Sequence, residues 1–151
     1  MNVFIMRGLP GSGKSTWIQK HQRGWGGDCK ICSADNYHTV NGAYHYDPKR
    51  AAEAHNDCLN HFLTKLRDGR TANEVLIVDN TNTTSWEIAP YYRLAELYGT
   101  NPIIVQMIAP FEECVRRQTH NVPLATMLRM QANLLTETLP SHWKIEGVSG
   151  L

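Results

Sequence analysis

The chain has 151 residues, of which 42% are hydrophobic and 19% charged, and a formal net charge of +1. That length suits a single domain over 1–151 around one hydrophobic core, and the balance excludes a disordered chain. A charge so near zero excludes a global basic field, so any nucleic-acid contact must rest on a local patch.

The first element is the apolar run Val3-Phe4-Ile5-Met6, which reads as a strand buried on both faces. It is too short for a signal peptide. No apolar run approaches the roughly 18 residues of a membrane-spanning helix. The expectation is a cytoplasmic protein with no membrane partner.

The strand leads into Gly8-Leu9-Pro10-Gly11-Ser12-Gly13-Lys14-Ser15, a complete G-x-x-x-x-G-K-S. Glycines let the backbone curl until successive N–H groups point inward at phosphate oxygens. The following helix adds its positive end. Lys14 is placed to reach the β- and γ-phosphates, and the Ser15 hydroxyl to bind Mg²⁺. A chance match in a chain this long is on the order of one in a few hundred, from average residue usage. The nucleotide-holding set is Gly8, Gly11, Ser12, Gly13, Lys14, Ser15 and Thr16, with ATP and Mg²⁺ as the expected cofactors.

A helix is expected from Lys14 to just before the glycines at 24, 26 and 27. Lys30-Ile31-Cys32-Ser33 reads as the second strand, with Cys29 just ahead of it. Cys29 and Cys32 form a lone C-x-x-C without the second ligand pair a zinc site needs, so both read as small buried hydrophobes. Asp35 follows this strand. A kinase needs a carboxylate to orient the acceptor hydroxyl and take its proton, and Asp35 stands where one would serve. From spacing alone it can equally cap a turn.

Asp47-Pro48 is a good N-cap pair for a second helix. That helix carries Ala51, Ala54, Cys58, Phe62 and Leu66 on one face and stops at Asp68-Gly69. The histidines at His38, His45, His55 and His61 have no metal-ligand spacing. The run Val75-Leu76-Ile77-Val78-Asp79 is a third buried strand ending in a carboxylate. Beside a phosphate loop that is a Walker B reading, with Asp79 facing the metal. The bland alternative makes Asp79 a turn cap together with Asn80 and Asn82.

A third helix starts near Thr84, with Glu87 three residues on as a capping box. Pro90 is expected to break or kink its start, and Gly99 to close it. Residues Ile103 to Ile108 form the fourth strand. A helix then opens at Pro110 with Glu112 and Glu113 in its first turn, and a last one follows Pro123. The stretch from Cys114 to Gln131 holds Arg116, Arg117 and Arg129 without an acidic residue. Composition alone makes it a solvated basic face. Alternating strands and helices mean an α/β fold with a mainly parallel sheet, whose ligands bind beyond the carboxyl ends of the strands.

Taken together, several blocks resemble one family. They are Arg7 to Ser15, Ser33-Ala34-Asp35-Asn36-Tyr37, Gly42-Ala43-Tyr44-His45-Tyr46-Asp47, Glu53-Ala54-His55, Asp79-Asn80-Thr81-Asn82, Trp86 with Pro90-Tyr91, and Arg117 through Pro123. In this order they resemble the kinase domain of bacteriophage polynucleotide kinase. They resemble more closely the kinase-like domains of certain animal ubiquitin-ligase-binding proteins and their bacterial relatives. The resemblance covers about residues 2 to 136. It implies a three-layer P-loop kinase fold with a five-stranded, mainly parallel sheet and a C-terminal helical lid. It implies transfer of the γ-phosphate of ATP to a 5′-hydroxyl of DNA or RNA, with Asp35 as general base. Asp79 would stand near the metal and Arg117 would be the lid arginine that neutralises transferring charge. Two departures bear on the acceptor. His38 stands where the phage enzyme has an arginine for the acceptor's phosphate. The lid reads Arg117-Gln118-Thr119-His120-Asn121-Val122 rather than Arg-Asn-x-His-Gly-Val. A kinase for a nucleoside or sugar is the alternative that near-neutral charge and His38 favour. An ATP-binding regulatory module without turnover is a third reading. No fused phosphatase or ligase module is expected.

Overall fold

In the computed structural model, which describes residues 1–26, 28–69 and 71–150, the four apolar runs become adjacent strands. They are β1 (Asn2–Arg7), β2 (Cys29–Cys32), β5 (Val75–Val78) and β6 (Ile103–Ile108). A further strand, β7 (Ile145–Ser149), completes a five-stranded sheet in the order β2-β5-β1-β6-β7. Every pairing in it is parallel. Cys29 lies inside the second strand rather than ahead of it. Between β2 and the next helix, β3 (Thr39–Val40) and β4 (Ala43–Tyr44) form a small antiparallel hairpin that periodicity did not foreshadow.

Successive strand residues face opposite sides, and the two faces bury different partners. Val3, Ile5, Leu76, Val78 and Ile104 pack with α2 (Ala51–Asp68) and α3 (Ser85–Leu97). Met6, Val75, Ile77, Val105 and Met107 pack with Ile18 of α1 (Lys14–Gln22) and with Trp17 and Trp25. This is the three-layer arrangement expected. Ala54, Cys58, Phe62 and Leu66 of α2 are all buried, as their spacing required. Burying a chain such as Phe62, which is 0% exposed, contributes about 1.5–3 kcal/mol.

Helix ends follow local chemistry. Asp47 accepts from Lys49 N–H at 3.0 Å, opening a 3-10 turn (Pro48–Arg50) ahead of α2. α1 passes into a 3-10 turn (Arg23–Trp25) that includes Gly24 and is closed by Gly26; Gly27 lies outside the described residues. Thr84 caps α3, accepting from Glu87 N–H at 3.4 Å. The Glu87 carboxylate turns to Thr83 N–H at 2.6 Å, one residue before the position a capping box uses. Pro90 does not break α3, which runs through it to Leu97. The proline removes one bond, to the carbonyl of Trp86 one turn earlier, at an exposed position where water can replace it. Gly99, at φ 75°, closes the helix as Thr100 N–H bonds the Ala95 carbonyl at 3.0 Å.

Arg7, 2% exposed, ties the sheet to the loop after β5. It donates to Gln106 Oε1 at 2.6 Å and to the carbonyls of Asn82 at 3.2 Å and Thr83 at 3.0 Å. Arg7→Met should leave three acceptors unpaired and lower stability by about 2–4 kcal/mol. Urea unfolding checks this, and a loss below about 0.5 kcal/mol would show that the network carries little stability.

Candidate active site

Because β2, β5 and β1 are parallel neighbours, the segments that leave their carboxyl ends meet at one edge. They are the Ser33–Asn36 turn, the Asp79–Thr84 loop and the glycine loop. Backbone and amide bonds fix them together. Gly8 N–H donates to the Thr81 carbonyl at 2.9 Å, and Asp79 N–H to the Cys32 carbonyl at 2.8 Å. Asn82 donates to the Met6 carbonyl at 2.7 Å, and Asn80 Oδ1 accepts from Ala34 N–H at 2.9 Å. Asn80 and Asn82 thus bind the loop to its neighbours, and the Asp79 carboxylate is left to face the charges of the site.

Within the glycine loop, Gly11 and Gly13 have φ of 78° and 99°, where other residues are strained. A Cβ on Gly11 would also come within 2.3 Å of the Cys114 carbonyl. The loop therefore lies directly under α4 (Phe111–Arg117). With α5 (Leu124–Thr136), this helix makes the C-terminal lid. The first intrahelical bond of α1 runs from Trp17 N–H to the Gly13 carbonyl at 2.9 Å. The N–H groups of Lys14, Ser15 and Thr16 are thus the orphan donors of a helix N-terminus. The side chains of Ser15 and Thr16 lie on the exposed surface there. Ser12 Oγ is buried against Gly8 and has no hydrogen-bond partner among the described residues.

Lys14 Nζ donates to the Gly8 and Leu9 carbonyls at 3.0 and 2.8 Å. Its ammonium carries three N–H groups, so one donor remains. Burial lowers its pKa, and the charges of Asp79 and then Asp35 work against that. Burial likewise raises the pKa of Asp79, with Lys14 opposing the shift and Asp35 adding to it. Lysine and two carboxylates thus share one electrostatic environment.

Asp35 sits in the 3-10 turn Ala34–Asn36, which Ser33 caps; the Ser33 hydroxyl accepts from Asp35 N–H at 3.2 Å. Its carboxylate is half exposed and meets two side chains outside any helix cap. Tyr44 O–H donates to Oδ1 at 3.4 Å, and His120 Nδ1 lies 3.5 Å from Oδ2. Burial first, then the charge and hydrogen bond of Asp35, pushes the Tyr44 phenol up to about 12. Tyr44 is therefore a donor at neutral pH.

Arg117 donates to the Gly150 carbonyl at 2.8 Å, and Gly150 is packed against Ser12 and Gly13. The lid arginine thus stands beside the phosphate loop, while Arg116 pairs with Glu113 and Arg129 lies on the exposed surface. His38 is 6% exposed and packs edge-on against Tyr37, Tyr44 and Tyr46. Sequence reasoning assigned no role to Tyr44, His120 or Gly150. Their only signal was membership of the Gly-Ala-Tyr and lid blocks; Gly150 had none. Among the described residues, no three His, Cys, Asp or Glu side chains gather into a metal-holding cluster, and no helix is long and apolar enough to cross a membrane.

A glycine loop on a parallel sheet, with its lysine in the field of two carboxylates and a helical lid above, defines a P-loop kinase-like domain. Residues 3–134 match the family described as AAA domain, and the chain belongs to it. The chain is 31% identical over 136 residues to NEDD4-binding protein 2 of Homo sapiens. That match covers 85% of this chain and only 7% of that protein. A chain of the Pnkp1/Rnl/Hen1 RNA repair complex shares the fold with a TM-score of 0.68, at 18% identity over 89% of this chain and 44% of its own. Kti12 of Chaetomium thermophilum, solved with ADP-AlF3, shares it with a TM-score of 0.65, at 13% identity over 97% of this chain and 88% of its own.

Proposed function

We propose that this chain is an ATP-dependent phosphotransferase that moves the γ-phosphate to a 5′-hydroxyl of a nucleic acid. The observation that carries the reading is the shared environment of Lys14, Asp79 and Asp35 at one sheet edge. The buried Ser12 hydroxyl and the orphan N–H groups of Lys14, Ser15 and Thr16 suit a chain of phosphates. Lys14 and the loop backbone hold them. The hydroxyl of Ser15 and the carboxylate of Asp79 are hard oxygen donors of the kind Mg²⁺ takes. When bound, that ion neutralises charge on the phosphates. Asp35 accepts the proton of the acceptor hydroxyl, and Arg117 stabilises the charge of the group in transit. One fold neighbour belongs to an RNA repair complex, which makes nucleic acid the first acceptor class to try.

A second reading, transfer to a nucleoside or sugar, has one observation in its favour. His38 is buried among tyrosines, so the position that would grip an acceptor's phosphate offers no exposed cation. Incubation with γ-labelled ATP and a panel of 5′-hydroxyl oligonucleotides, nucleosides and sugars separates the readings. The proposal expects label on the oligonucleotides, and label confined to sugars would overturn it.

The metal assignment has its own test. Asp79→Asn removes negative charge beside the cation and should raise the Mg²⁺ concentration needed for the ATP-induced rise in Tm. An unchanged Mg²⁺ titration would remove Asp79 from the metal site.

A further inference from the structure

Two parts of the chain far apart in sequence close over Asp35. One is β4, which brings Tyr44. The other is the segment joining α4 to α5, which brings His120. Their rings stack with centroids 4.0 Å apart and planes at 19°. Each also touches the carboxylate, Tyr44 through its hydroxyl and His120 through Nδ1. The lid segment is a closed unit: Gln118 Nε2 donates to the Val122 carbonyl at 2.9 Å and Gln118 Oε1 accepts from Val122 N–H at 2.7 Å. His120 stands near the middle of that ring, with Asn121 at φ 52° beside it.

From this geometry we infer that Tyr44 is the platform on which the acceptor's terminal nucleobase stacks, in exchange for His120. The inference rests on the 5′-hydroxyl reading above and names how that acceptor is gripped. The face of Tyr44 already accommodates a flat, nitrogen-bearing ring at stacking distance, which is what a nucleobase presents. The phenol hydroxyl reaches Asp35, so a base on this ring has its sugar beside the carboxylate. A nucleoside separates its 5′-oxygen from its base by one sugar ring, about the reach of the phenol from its hydroxyl to its far edge. The wall continues through His38 to Tyr46, which is 55% exposed. From Tyr37 to Tyr46 this wall has four aromatic or imidazole rings in contact, and the cation that lies on it, Arg50 over the Tyr37 ring at 4.8 Å, is itself paired with Glu53. At Tyr44 itself the wall offers a ring face rather than a cation, so the grip there is by stacking, in keeping with the net charge of +1.

The test uses two acceptors, a 5′-hydroxyl oligonucleotide beginning with 2-aminopurine and the same oligonucleotide with an abasic first sugar. Loss of one stacked base corresponds to roughly a 5- to 150-fold change. The wild-type chain should show that rise in KM for the abasic acceptor, and quenching of 2-aminopurine fluorescence on binding. Tyr44→Leu should raise KM for the base-bearing acceptor by the same factor and no longer distinguish the two. Tyr44→Phe should still distinguish them, because it keeps the ring and loses only the hydroxyl. His120→Ala should lower KM for the base-bearing acceptor by removing the competing ring. The ATP-induced rise in Tm shows that each variant is folded. Equal KM for the two acceptors in the wild type, or undiminished discrimination in Tyr44→Leu, overturns the platform while leaving the kinase reading intact. Transfer to sugars with none to either oligonucleotide overturns both.

Discussion

Asp35→Asn should lower phosphoryl transfer by about 10²- to 10⁴-fold, the scale of general-base loss, while the Mg-ATP-induced rise in Tm persists. The two carboxylates at the sheet edge differ in a way that separates their roles. Asp79 is partly buried, and burial raises its pKa against the pull of Lys14, so its charge depends on a neighbouring cation. Asp35 is half exposed, on the turn after β2, with its oxygens toward Tyr44 and His120. A base must be reached from outside by the acceptor, and of the two carboxylates Asp35 is the more exposed, which is why the proposal gives it that role. Asparagine keeps the shape and the contact with Tyr44 O–H but has no lone pair basic enough to take a proton. Single-turnover transfer measured beside ATP-dependent melting gives both numbers on one variant. Transfer at the wild-type rate would remove Asp35 from the chemistry.

Lys14→Ala should abolish most of the stabilisation that Mg-ATP confers. At a hundredfold excess over its dissociation constant a ligand adds about 2.7 kcal/mol. For a chain of this size each kcal/mol is worth roughly 2–4 °C, so the wild-type shift should be about 5–11 °C. The ammonium is already anchored inside the loop by the carbonyls of Gly8 and Leu9. It needs no large rearrangement to turn its remaining donor toward a phosphate. Alanine removes that charge from inside the loop and leaves its backbone N–H groups and hydroxyls without it. A variant with the full wild-type shift would mean that nucleotide binds elsewhere.

Much of the fold was legible because its signals are local. Val75 to Val78 are at most 2% exposed, so the apolar run announced its burial on both faces. The phosphate loop, the caps at Asp47 and Thr84, and the glycine stop at Gly99 are each written within a few residues. β7 was not legible from pattern. It is an edge strand, Ile145–Ser149, with four exposed residues and one half-buried, so it carries no apolar periodicity; only the family resemblance implied a fifth strand. The β3–β4 hairpin has two residues per strand, too few for any period to register.

The candidate site was legible to the same degree. Lys14, Asp35 and Asp79 each follow a strand, so parallel pairing alone brings them together. The joining of Tyr44 and His120 over Asp35, and of Arg117 with Gly150, depends on how the hairpin and lid return to the sheet edge. Those contacts span 76 and 33 positions in sequence, and spacing says nothing about them.

The central claim meets its most direct test in a matched pair of oligonucleotides, identical except that one carries a 5′-hydroxyl and the other a 5′-phosphate. Each is incubated with the wild-type chain, Mg²⁺ and γ-labelled ATP, and label on the recovered strand is counted. The account predicts label on the 5′-hydroxyl strand alone, released by a phosphatase as terminal phosphate. No label on that strand under conditions where Mg-ATP raises Tm would contradict it.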